Sequence, residues 1–280
     1  MLNAAAGPAR GDPSATVVGR IARHVVVSGE SLRSIGARFG VDPSTLAADN
    51  DIKRQVALRI GQELIVDNRH IVPSSVADGM IIVNIPQRML FFKAENRLFS
   101  APIAVGSAGW KTPQSPFTIL VKETEPTWDV PESIAIEARA RGLQLPAKVP
   151  PGPGNPLGRH WLGLSIGGIG IHGTNAPSSV YSAVTHGCIR MHPDDIAVLF
   201  DLVGQGTPGR SIYEPILLTK DAEEVFLEVH PDVYRRNSLP AMIQVQAMAI
   251  RAGLTERIDW TRAEQVAALH HGIARDVTRR

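Results

Sequence analysis

A single cysteine, Cys188, stands among 280 residues, so the chain forms no internal disulfide. Its cysteine usage therefore leaves the redox compartment open. Neither sign of charge dominates: 29 Lys and Arg face 27 Asp and Glu, and the net charge of +2 gives no case for a nucleic-acid partner. The sequence pI near 8.9 suits contact with an acidic polymer, but only weakly. No apolar run approaches the length of a bilayer span, so no integral membrane segment is expected. Residues 1–18 are rich in Ala, Gly, Pro and Ser without the apolar stretch of a signal peptide. No internal repeat is visible. The length, by contrast, exceeds that of one usual domain and allows a sizeable core.

The chemistry concentrates around the lone cysteine. It lies in Thr185-His186-Gly187-Cys188-Ile189-Arg190-Met191, sixteen residues after His172 in Ile171-His172-Gly173-Thr174-Asn175. An unperturbed thiol is mostly protonated at neutral pH and needs a base to act as a nucleophile. The spacing allows His172 and Cys188 to face each other from neighbouring strands. Gly187 permits a tight turn, so that its N–H and that of Cys188 can point at a developing oxyanion. Against this stands the usual fate of a free cysteine, a small buried hydrophobe.

Two organised regions follow from the patterning. In the first, a strand at 24–27 leads through Ser28-Gly29-Glu30-Ser31 into a helix with Leu32, Ile35 and Phe39 on one face and Gly40 as its C-terminal cap. Asp42-Pro43 reads as the N-cap and first position of a second helix, and residues 60–66 as a turn and strand. In the second, β-branched and apolar segments near 80–85, 89–92, 99–105 and 117–122 predict strands, the first two as a hairpin. A Pro/Gly-rich stretch, 124–158, carries a predicted helix around 133–141. It reads as a lid-like insertion, since functional loops sit where a rigid scaffold presents them. Pro193-Asp194-Asp195 opens a helix after the cysteine. The organisation expected is a disordered segment at 1–22, a small α+β domain at 23–68, a catalytic domain at 78–215 and a helical C-terminal appendage at 216–280, read as packing without chemistry.

The His-Gly segment followed by Thr-His-Gly-Cys and Arg190 resembles the active-site signature of L,D-transpeptidases, the YkuD family. The first region, with Ser-Gly-Glu-Ser-Leu and Leu-Arg-Ile-Gly-Gln-Glu-Leu, resembles a LysM domain. The order of the two is similar to that in Gram-negative periplasmic members, including those that tether Braun lipoprotein. The resemblance implies a mainly β catalytic domain built as an open β-sandwich, with a small α+β LysM domain before it and a helical tail after it. It also implies a periplasmic setting, although no signal peptide is visible, and acylation of the thiol by carbapenems.

The implied reaction is acyl transfer from a peptidoglycan tetrapeptide stem, cut between diaminopimelate and D-alanine. The acceptor is another stem's amine, a lipoprotein lysine or water. An enzyme hydrolysing lipoprotein–peptidoglycan links is an alternative on the same fold. Cys188 is the nucleophile, His172 its base and Gly187 part of the oxyanion pocket; His186 either shapes that pocket or packs beside Cys188. Arg190 holds a substrate carboxylate or makes a structural ion pair. Either the Gly173 carbonyl or the Thr174 hydroxyl orients His172, Thr185 stands where the family has Ser or Thr, and these three are also candidate substrate contacts. The implied glycan groove falls on Gly29, Glu30, Ser31, Arg59 and Ile60. No cofactor or metal is called for: a zinc site from His172, His186, Cys188 and His192 lacks the usual ligand spacing. A non-catalytic cell-wall anchor is the rival of another class. A papain-like protease would place its cysteine long before its histidine, the reverse of the order here.

Overall fold

The computed structural model describes residues 9–12, 14–94, 97–236 and 239–280. The N-terminal region is formed by α1 (Leu32–Phe39), α2 (Pro43–Ala48) and an antiparallel pair, Ile21–Val25 with Glu63–Asp67. Local chemistry sets both helices. Ser31 caps α1 through a reciprocal bond with Ser34, and Gly40 ends it in the left-handed conformation. Asp42 caps α2 by accepting from Ser44 N–H, with Pro43 at its first position. Leu32, Ile35, Val41, Leu46, Leu64 and Val66 close a core around these elements.

The central region is a mainly β structure whose sheet closes on itself. The hairpin Ile81–Asn84 and Met89–Ala94 pairs onward to Arg97–Gly106. The far edge of that long strand carries Ile189–Met191, followed by Gly170–His172, His160–Leu164, Pro116–Thr124 and Pro208–Ile212, which returns to Ile81–Asn84. The expected open sandwich is therefore a closed, barrel-like sheet. Closure follows because the ten-residue strand 97–106 is long enough to pair on both edges, which removes exposed strand edges. Leu90, Phe92, Ile103, Ile119, Leu162, Ile171 and Ile189 fill its interior, and α4 (Pro193–Leu202) covers it with Ile196 and Leu199. Between two strands of this sheet, residues 124–158 form α3 (Glu132–Ala140) and a short ribbon, Trp128–Asp129 with Lys148–Val149.

Two expectations change. Residues 1–8 and 13 of the segment expected to be disordered lie outside the described residues. The rest of it pairs: Ala9–Gly11 with Leu98–Ser100, and Val17–Val18 with His70–Ile71. The C-terminal region is not simply helical. Ile216–Asp221, Glu224–Val229 and Arg275–Asp276 make a three-stranded antiparallel sheet packed by α5 (Ala241–Ala252) and α6 (Trp260–Leu269). Its strands are short and all but one residue of Glu224–Val229 is buried, so no alternating pattern betrays them.

This C-terminal unit ties the other two together. Ile273 enters the N-terminal core, and Arg275 pairs with Asp49 and Asp67 at 2.6 and 3.1 Å. Glu228, fully buried, accepts from Ile71 N–H, Gln87 Nε2, His230 and His70. Arg38 of α1 also reaches Asp195 of α4 at 2.9 Å, joining the N-terminal and central regions directly.

Candidate active site

Parallel pairing of Gly170–His172 with Ile189–Met191 sets His172 opposite Arg190, and antiparallel pairing sets Trp161 opposite His172. Cys188 immediately precedes the second of these strands. A cavity of about 560 Å³ opens here, lined by His172, Thr185, His186, Cys188 and Arg190, with Trp128 and Ile134 contributed by the 124–158 excursion. Five of the eight residues singled out in the sequence thus meet in one cavity. Gly173, Thr174 and Gly187 support its wall instead.

His172 is buried, and its Nδ1 lies 2.7 Å from the Gly173 carbonyl oxygen. A carbonyl only accepts, so Nδ1 carries the proton and the neutral ring presents its lone pair at Nε2. The choice left open by the sequence is thereby made: Thr174 Oγ1 is occupied by Ala176 N–H at 2.9 Å, in a local turn. Trp161 stacks on the imidazole, with centroids 5.8 Å apart. Gly170 makes that possible, since a Cβ there would come within 2.3 Å of the indole.

Burial, followed by the charge of Arg190, holds the His172 imidazolium down to about 4. Burial also pushes the Cys188 thiol up, against a backbone hydrogen bond at Gly170 and the Arg190 charge. At neutral pH the resting pair is thus thiol and neutral imidazole.

The turn bearing the cysteine is held by two threonine hydroxyls. Thr185 Oγ1 donates to the Cys188 carbonyl at 2.6 Å and accepts Gly187 N–H at 3.2 Å. Thr112 Oγ1 donates to the Gly187 carbonyl at 2.9 Å, and Tyr234 accepts from Thr112 N–H while donating to the Gly106 carbonyl. Gly187 has φ +108, and a Cβ there would press on Ile169 Cδ1 at 2.9 Å. The Gly187 N–H, expected to face an oxyanion, is therefore committed to Thr185.

His186 Nε2 lies 3.1 Å from Glu137 of α3, and the same carboxylate accepts Trp110 Nε1–H at 2.7 Å. His186 also lies against the Trp110 ring, 5.2 Å between centroids. Arg190 donates to Ser179 Oγ at 2.8 Å; its Nε is buried without a partner, and no carboxylate pairs with it among the described residues. The structural ion pair weighed for it is not what the described residues form. His192 caps α4, accepting Asp194 N–H through Nδ1. The sequence carries no sign of Trp161, Thr112, Glu137 and Tyr234, since Trp161 joins His172 only by strand pairing and the other three reach the site across 49 or more residues of chain, none with a local motif.

The chain belongs to the YkuD family of L,D-transpeptidases. The L,D-transpeptidase catalytic domain of that family matches residues 78–210, and a LysM domain matches residues 24–67. The Escherichia coli (strain K12) protein described as "Probable L,D-transpeptidase ErfK/SrfK" is 33% identical over 214 residues, covering 75% of this chain and 68% of its own. A second protein of that strain, "Probable L,D-transpeptidase YcfS", is 33% identical over 222 residues, covering 76% and 69%. Among solved structures, the catalytic domain of an Enterococcus faecium L,D-transpeptidase is 20% identical, with 50% of this chain and 100% of that one covered, at a TM-score of 0.35.

Proposed function

We propose that this protein is a peptidoglycan L,D-transpeptidase working outside the cytoplasm, with Cys188 as nucleophile and His172 as its base. The observation carrying this reading is the fixed tautomer of His172 in the cavity that Cys188 lines. Cys188 Sγ attacks the carbonyl carbon of diaminopimelate in a tetrapeptide stem, its proton passing to His172 Nε2. That proton then goes to the departing D-alanine amine, leaving a thioester. An acceptor amine gives a proton to Nε2, attacks the thioester and releases the thiolate, which is reprotonated.

The oxyanion is met by the Cys188 N–H, since Gly187 N–H is engaged. Such a donor is typically worth on the order of a hundredfold in rate. Arg190, without a carboxylate partner among the described residues, receives the substrate's carboxylate, and the 124–158 excursion acts as a lid over the donor. The LysM domain at the N-terminus holds glycan strands. The acceptor is an amine of another stem or of an outer-membrane lipoprotein.

Mass spectrometry of products from purified disaccharide tetrapeptide tests the reading. D-alanine release with dimers, absent in Cys188→Ala, is the expected result. Release giving only tripeptide would make water or a lipoprotein amine the acceptor. No release and no adduct on Cys188 would overturn the donor assignment.

A further inference from the structure

Four residues stand side by side across four strands of the central sheet. Glu123 is paired with Trp161, Trp161 with His172, and His172 with Arg190. Directly opposed residues share one face of a sheet, and all four of these line the active-site cavity. Cys188 precedes Arg190 by two positions and lines the same cavity.

The row carries opposite charges at its two ends. Arg190 has no carboxylate partner among the described residues. Glu123, at the other end, is exposed and makes no hydrogen bond or ion pair among the described residues. The second carboxylate lining the cavity, Asp129, is taken by Lys148 at 2.9 Å. An unpaired glutamate on an open surface is ordinary. This one stands in the wall of a cavity, in register with the base.

Between the two charges lies an apolar floor, the Trp161 indole, stacked on His172. Two glycines leave it room. A Cβ on Gly163 would come within 3.0 Å of the indole Nε1, and one on Gly170 within 2.3 Å of the ring. Adjacent strands lie about 4.8 Å apart, which puts Glu123 about 10 Å from His172 along the row. Arg190 lies on the opposite flank of His172. With the leaving residue's carboxylate on Arg190, the acyl part of the donor runs the other way, over Trp161 toward Glu123. An acceptor amine enters where the leaving group departs, on the Arg190 side, so Glu123 faces the donor alone.

We infer that Glu123 is a specificity residue for a cationic side chain on the acyl donor. It holds the side-chain ammonium of the diamino acid whose carbonyl Cys188 attacks, while the methylenes of that side chain lie on Trp161. The inference deepens the proposed function and rests on it.

The test compares two donors with the full chain. One is the disaccharide tetrapeptide; the other is the same compound acetylated at the diaminopimelate side-chain amine. Mass spectrometry times the first-turnover adduct on Cys188, a readout that needs no acceptor. The free-amine donor is expected to show a kcat/KM for acylation about threefold to tenfold higher, as an ion pair on a partly exposed face implies. That preference should shrink at high ionic strength. Glu123→Gln is expected to abolish it, and Glu123→Asp to keep part of it. Asp129→Asn, which alters the paired carboxylate, should retain it. Equal rates for the two donors with the unaltered protein, or a preference that survives Glu123→Gln, overturns the inference alone. No adduct from either donor would overturn the proposed function and this inference with it.

Discussion

Thr185 Oγ1 lies 2.6 Å from the carbonyl oxygen of Cys188 and 3.2 Å from the amide nitrogen of Gly187, one hydroxyl closing the turn that presents the thiol. Thr185→Val removes both bonds at nearly constant volume. Loss of that positioning is expected to lower kcat by on the order of a hundredfold. Thr185→Ser keeps the hydroxyl and stays within a few-fold of the parent. Steady-state D-alanine release compares the two, and equal rates for Thr185→Val and parent would refute the role.

Gly187 cannot be replaced quietly. Its φ of +108 and the 2.9 Å approach to Ile169 make Gly187→Ala strained by about 1–3 kcal/mol. Urea unfolding reads that loss, and thiol labelling of Cys188 should slow or scatter as the turn shifts.

The acid limb of kcat/KM should lie far below the usual histidine range. Burial first, then Arg190, hold His172 down to about 4, so its basic form persists as pH falls from neutral. Activity therefore rises through about pH 4 and is flat above it. A limb near 6.5 would mean that burial and Arg190 do not depress His172 in the free enzyme. Arg190→Gln removes the opposing charge, and the limb should move upward while KM for the carboxylate-bearing donor rises.

Glu228 gives a stability prediction. Burial alone would raise its carboxyl, but the charges of and hydrogen bonds from His70 and His230 outweigh this and hold it down to about 2. A depressed carboxyl contributes stability that is complete above the unfolded value of 4.5 and lost as pH falls toward about 2. Glu228→Gln leaves buried donors poorly matched and should cost about 3–5 kcal/mol at neutral pH. Its deficit should shrink below about pH 4. Denaturant titrations of both proteins at pH 7 and pH 3.5 would reveal a constant difference if Glu228 were inert.

Much of the local structure was legible in the sequence. Ser31, Gly40, Asp42 and Pro43 announce the two LysM helices because capping acts within four residues. The helix opened by Pro193 is equally local. The cysteine and histidine are found by residue type and spacing alone.

What the sequence could not convey depends on partners far along the chain. Strand 97–106 pairs on both edges and closes the sheet, although nothing in its own residues says so. Val225, Leu227 and Val229 became a buried strand where helix was expected, because α5 and α6 cover the side that would otherwise read as polar. Thr112, held by Tyr234 from more than a hundred residues away, supports Gly187.

The sequence by itself determined the candidate pair Cys188 and His172, the caps and the two-family order, since these rest on side-chain chemistry and short-range backbone preference. Only the tertiary structure decided that Gly173 rather than Thr174 orients His172, that Gly187 N–H is engaged, and that Arg190 and Arg88 are left without carboxylate partners among the described residues. The physical reason is common to all of these: which buried polar group finds which partner is fixed by packing across the sheet, and desolvation leaves each little freedom to choose another.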